Sequence, residues 1–180
     1  QLWSAEDPHL YDLEIEVRDA AGELTEVIRQ PVGIRRFGIE DGLLKINGSR
    51  VVFKGVNRHE FGLRGRVMSR EQTEADLRLM KANNINAVRT CHYPDDPRWY
   101  DLCDQYGIYV TAEANQESHA FQYSNDQSTP VAQPEFAKQI MERNQHNVEM
   151  QFNHPSIIVW SLGNETDNSN NFLAAYNWIK

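Results

Sequence analysis

Apolar and polar residues alternate with a period of two near the start of the chain. Leu13, Ile15 and Val17 interleave with Asp12, Glu14, Glu16 and Arg18, the pattern of a β-strand. An Ala21-Gly22 turn leads to a second run, Leu24 to Ile28. Asp41-Gly42 and Asn47-Gly48 are flanked by short apolar runs (Leu43, Leu44 and Ile46; Val51, Val52 and Phe53), and such dipeptides predict tight hairpins. From about Ser69 the pattern changes to helix, strand, helix, strand. Ser69 and Gln72 have capping-box spacing and open a helix that carries Leu77 and Met80 and ends at Asn83-Asn84. Ala87 to Arg89 reads as a short strand, Arg98 to Tyr106 as a helix stopped by Gly107, and Ile108 to Glu113 as the next strand. A polar loop, Asn115 to Gln133, precedes a helix from about Pro134 to Met150. The β-branched run Ile157 to Trp160 predicts a strand buried on both faces, followed by a last helix from about Asn168.

Counting Val51 to Val56 as the first strand, four β/α units follow one another. Such alternation predicts an α/β fold with a parallel sheet and right-handed crossovers. Four units are half of a closed (β/α)8 barrel, or a small open sheet.

The polar residues keep step with the strand ends. Asn57, Arg58, His59 and Glu60 follow the first strand, Arg89 and His92 the second, Glu117 and His119 the third, Asn164 and Glu165 the fourth. In parallel α/β folds that end carries ligands and catalytic groups. Each cluster alone has a bland reading: a packed histidine, an Arg58–Glu60 ion pair, Arg89 neutralising a carboxylate, Glu165 capping the next helix. Four clusters in phase favour one shared site. Glu165 beside Asn164 suits a general acid or base next to a hydroxyl-binding amide. Residues two apart in an extended loop point the same way. Glu117 and His119 together with Glu165 therefore offer two carboxylates and an imidazole, a set that suits Mg²⁺ or Mn²⁺.

Composition narrows the classes. The 180 residues are 40% hydrophobic and 24% charged with a net charge of -8, and no basic block suggests a nucleic-acid partner. No apolar run approaches membrane-spanning length. Cys91 and Cys103 read as buried thiols rather than a disulfide or zinc site. No HExxH, GxSxG elbow, phosphate-cradling loop or dinucleotide fingerprint is present. The sequons at Asn47 and Asn164 read as accidental. The opening Gln1-Leu-Trp-Ser and the helical pattern still running at Lys180 predict a piece of a longer protein.

Gly55-Val-Asn-Arg-His-Glu60, Asn86-Ala-Val-Arg-Thr-Cys-His-Tyr-Pro94, Glu113-Ala-Asn-Gln-Glu-Ser-His119 and Trp160-Ser-Leu-Gly-Asn-Glu165 resemble the catalytic barrel of glycoside hydrolase family 2, nearest to its large bacterial β-galactosidases. Leu2-Trp-Ser-Ala-Glu and Pro8 to Tyr11 resemble the immunoglobulin-like domain that precedes that barrel. The resemblance implies residues 1–36 from that domain and 37–180 as the first half of the barrel. It implies Glu165 as acid/base, Asn164 as a sugar-hydroxyl ligand, Glu117, His119 and Glu165 as Mg²⁺ ligands, His59 and His92 on the galactose, and Arg89 positioning the nucleophilic glutamate. It further implies retaining hydrolysis of β-galactosides, two carboxyls about 5–5.5 Å apart, a cytoplasmic homo-oligomer, and a nucleophile on a later strand. The 180 residues alone are then expected to be inactive. Two departures stand out: Ala112 where the family has Asp, and Glu117-Ser-His-Ala120 where it has Glu-Thr-His-Gly. The rival expectations are a non-catalytic half-barrel pairing through its open sheet edges with a complementary chain or itself, and a sugar-binding module with Trp99 or Trp160 stacked on a ring.

Overall fold

The computed structural model describes residues 1–121 and 129–180; residues 122–128, within the polar loop expected from Asn115 to Gln133, lie outside the described residues. Strands β1 (Tyr11–Arg18) and β2 (Leu24–Val32) form an antiparallel ribbon with Ile15 opposite Ile28. Its apolar face, Leu13, Ile15 and Val17, is exposed. Strands β3 (Phe37–Glu40), β4 (Leu43–Ile46) and β5 (Ser49–Arg50) make a meander. Its turns place Asp41-Gly42 at φ 53° and 73°, and Asn47-Gly48 at φ 52° and 83°. Both central residues are left-handed, as a two-residue hairpin turn of this hand requires.

The remainder is a parallel sheet in the order β6 (Gly55–Arg58), β7 (Ala87–Thr90), β8 (Tyr109–Glu113), β9 (Ile157–Ser161). The helices are α1 (Arg70–Ala82), α2 (Pro97–Tyr106), α3 (Pro134–Gln151) and α4 (Asn170–Ile179). This is the α/β class expected. The first parallel strand begins at Gly55, not at Val51. The preceding backbone is engaged elsewhere: Val51 donates to the Leu44 carbonyl at 3.0 Å, and the Asn86 side chain bonds Lys54 N–H at 2.7 Å and the Val52 carbonyl at 3.0 Å.

Local chemistry sets the helix ends. Ser69 Oγ accepts from Gln72 N–H while Gln72 Oε1 accepts from Ser69 N–H, completing the capping box of α1. Asp96 caps α2 ahead of Pro97, and Gly107, left-handed at φ 70°, ends it.

Strand alternation separates two environments. Val88, Val110, Ala112 and Ile157 face the helices and pack with Leu77, Trp99, Leu102 and Ile108. Arg89, Thr111 and, past a register shift that brings it opposite Thr111 rather than on the face of Ile157, Val159 line a concave space of about 330 Å³ on the opposite face. The last strand is thus not buried on both sides: Ile157 is 3% exposed and Val159 41%. The described sheet is open, with β6 and β9 as its edge strands. At the N-terminal end of the strands, Trp3, Ala5, Ile46 and Tyr109 form a second core. Trp3 is wholly buried, donates Nε1–H to the Asp104 carbonyl at 2.9 Å and meets Tyr109 edge-on. Removing about 200 Å² of aromatic surface from water is worth on the order of 5 kcal/mol, enough to anchor the N-terminal segment beneath the sheet. No described helix is long and apolar enough to cross a membrane.

Candidate active site

The C-terminal ends of the four parallel strands bring most of the expected residues together, with one clear exception. Arg58 lies within β6 and turns toward the helices, 6% exposed, with its guanidinium 4.1 Å from the Trp99 ring centre. It does not pair with Glu60. Its partners are Asp76 (3.1 Å) and Asp95 (2.7 Å), while Glu60 accepts from the Asp96 N–H at 3.0 Å. Burial pushes the Asp95 carboxyl up to about 7, against the pull of Arg58. Trp99 is fully buried in this outer layer and offers no face for stacking on a sugar, whereas Trp160 packs against the same core and is only partly buried.

On the concave side His59 is exposed, and its ring meets His92 edge-on with centres 5.4 Å apart. His92 Nδ1 lies 2.7 Å from Glu113 Oε1, a partner that accepts the Nδ1 proton. Arg89 makes a two-point ion pair with Glu113, Nε to Oε2 at 2.6 Å and Nη2 to Oε1 at 3.0 Å. The same Nη2 donates to Asn164 Oδ1 at 2.7 Å. Cys91 lies close to His59 and His92, but burial raises its thiol pKa and keeps it in the neutral form. Both cysteines are free and buried, as expected.

The loops after β8 and β9 are tied by an isolated parallel bridge between Glu117 and Asn164, with Asn164 N–H bonded to the Gln116 carbonyl at 2.9 Å. Asn164 Nδ2 also donates to Glu117 Oε1 at 3.0 Å, so the amide is held at both ends. Glu165 follows in a left-handed conformation, φ 44°, which costs a non-glycine residue roughly 1–2 kcal/mol. Its carboxylate contacts His119 Nδ1 and is 45% exposed, open to a ligand and to proton exchange. Glu117, His119 and Glu165 each present one ligand atom, all within 4.8 Å of one another. Two carboxylates and an imidazole at that spread fit a single hard divalent cation.

Two side chains central to this arrangement are not marked by the sequence pattern. Glu113 is fully buried, and Ser161 Oγ donates to its Oε2 at 2.6 Å. The available signal is strand parity: Thr111 and Glu113 share a face, and Arg89 lies beside Thr111 in register. The same parity settles Ala112. It faces the helices at 0% exposure, with its carbonyl accepting from Asn147 Nδ2 at 3.2 Å, away from Glu117 and His119.

Known proteins are similar to this chain in sequence and in architecture. A family model described as "Glycosyl hydrolases family 2, TIM barrel domain" matches residues 37–180, and one described as "Glycosyl hydrolases family 2" matches residues 1–35. A β-galactosidase of Priestia megaterium is 46% identical over 184 residues, covering 99% of this chain and 18% of that protein. A β-galactosidase of Vibrio vulnificus is 47% identical over 179 residues, covering 99% of this chain and 17% of that protein. Among solved structures, a β-glucuronidase from Ruminococcus gnavus in complex with D-glucuronic acid superposes with a TM-score of 0.83 at 27% identity, covering 99% of this chain and 30% of that one. The chain thus spans less than a fifth of the length of these β-galactosidases.

Proposed function

The chain belongs to glycosyl hydrolases family 2, and on that premise we propose that it forms the acid/base half of the active site of a retaining β-galactosidase. The observation that carries this reading is the convergence of Glu165, Asn164, Glu117 and His119 where two strand-end loops meet. Identities of 46–47% with β-galactosidases support galactosides over the glucuronides of the more distant structural relative. The His92-Tyr93-Pro94 and Glu117-Ser118-His119 segments point the same way.

Glu165 donates a proton to the glycosidic oxygen as the bond to the sugar breaks. It then takes a proton from the water that releases the sugar. A glutamate elsewhere in the whole protein supplies the nucleophile, and the galactosyl group is held on it between the two steps. Asn164, fixed by Arg89 and Glu117, presents its amide to a sugar hydroxyl. His59 and His92 border the sugar, and Arg89 orients the nucleophile. Glu117, His119 and Glu165 would hold Mg²⁺ or Mn²⁺, which supplies fixed positive charge that holds Glu165 in place. Residues 1–36 are read as the end of a preceding immunoglobulin-like domain, and the cytoplasmic homo-oligomer expected of the family belongs to the same proposal.

The test is parallel assay of the full-length protein on chromogenic β-galactoside, β-glucuronide and β-mannoside, with the released anomer followed by NMR. Preferential release of β-galactose before mutarotation is expected. Preference for another glycoside, or first release of the α anomer, would overturn the reading.

A further inference from the structure

Strand parity drives Glu113 into the concave face, where a carboxylate with no exposed surface needs full compensation. It has it. Oε2 receives Arg89 Nε at 2.6 Å and Ser161 Oγ at 2.6 Å, and Oε1 receives Arg89 Nη2 at 3.0 Å and His92 Nδ1 at 2.7 Å. These donors come from β7, the segment after it, and β9, so one side chain on β8 joins three strand ends. The chain of contacts continues outward, because Arg89 Nη2 also holds Asn164 Oδ1 at 2.7 Å.

We propose that Glu113 is the positioning residue of the site, a buried anion that sets the orientation of Asn164 through Arg89 and the tautomer of His92 directly. The proposal rests on the reading of this chain as the acid/base half of a β-galactosidase site. Being wholly buried, Glu113 touches no substrate. Its negative charge is the requirement, since every group facing the carboxylate is a donor. A glutamine of the same shape puts an NH₂ against one of those donors and releases the Arg89 guanidinium. Aspartate, one methylene shorter, does not span from Arg89 to Ser161 and His92 together.

The experiment is a double-mutant cycle in the full-length protein between Glu113→Gln and Asn164→Ala, read as kcat and KM on a β-galactoside. The crystal structure and thermal midpoint of Glu113→Gln complete it. A slight displacement of a catalytic constellation costs roughly 10²-fold, so Glu113→Gln is expected to lower kcat by about that factor. Asn164→Ala should then add far less on the Glu113→Gln background than in the wild type, because the amide is already misplaced. In the crystal structure Arg89 should have left Asn164 while the strands keep their register. If Glu113→Gln does not fold, Ser161→Ala replaces it in the same cycle. Losses that multiply independently, or an Arg89–Asn164 contact that survives, would overturn the proposal. Turnover of an alkyl β-galactoside by the wild type and its loss in Glu165→Gln test the galactosidase reading separately. Absence of wild-type turnover would defeat that reading, and the Arg89–Asn164 contact in the Glu113→Gln structure would then decide the positioning claim.

Discussion

Asn164 donates to Glu117 at 3.0 Å across the bridge that joins the last two strand-end loops, so the amide and the carboxylate proposed as a cation ligand form one unit. A change at Glu117 should therefore be felt twice. Glu117→Gln removes the charge of a proposed ligand and leaves one amide oxygen where two carboxylate oxygens now serve Asn164 and the cation site. Mg²⁺ affinity should fall by at least about tenfold, the lower bound for loss of even an outer partner of a metal site. Calorimetric titration of Mg²⁺ into chelated wild-type and variant full-length protein checks this. Equal affinities would place Glu117 outside the site.

Gly163 brings the end of β9 against the neighbouring loop. Its φ is 156°, and an added Cβ would lie 2.7 Å from both the backbone oxygen and the Cβ of Gln116. Gly163→Ala should cost roughly 1–3 kcal/mol through strained backbone and the clash. It should also move Asn164 and Glu165, lowering kcat at least about tenfold at temperatures where the variant remains folded. Thermal melts and kinetics on one preparation separate the two effects. A wild-type melt with wild-type kcat would show that the loops tolerate the side chain.

Asp95 supplies a pH signature of the outer layer. Burial raises its pKa from the usual 3.8 to about 7, so between those values the folded state binds more protons than the unfolded one. A folded acid with a raised pKa contributes stability at low pH that is lost as pH rises. The wild type should lose up to about 1.4 kcal/mol per pH unit relative to Asp95→Asn across roughly pH 4 to 7. Urea denaturation of both proteins through that range gives the slope. A flat difference would mean that Arg58 compensates the Asp95 charge in full.

The repeating α/β grammar was legible because each cue is local. The Ser69–Gln72 box, Gly107 and the Asn-Gly and Asp-Gly turns act within a few residues, and the structure shows each in place. The start of β6 was not, because Val51 to Lys54 are claimed by Leu44 and by the side chain of Asn86, distant partners that a strand pattern does not reveal. Arg58 read as a site residue from its position after an apolar run, but one place in strand parity sends it to Asp76 and Asp95 instead. Glu113 was hidden for the converse reason. It closes a strand and looks like an ordinary solvent-facing end; its parity with Thr111 points to the concave face, and the converging donors account for its burial.

The most direct measurement of the proposed chemistry is the leaving-group dependence of Glu165→Gln in the full-length protein at saturating Mg²⁺. A nitrophenyl group departs without help, whereas an alkyl alcohol requires protonation. General acid catalysis is worth about 10²–10⁴-fold. The variant should lose a factor in that range on alkyl β-galactosides, and far less on glycosidic cleavage of the nitrophenyl substrate. Equal losses on the two substrates would contradict the assignment of Glu165 as the proton donor.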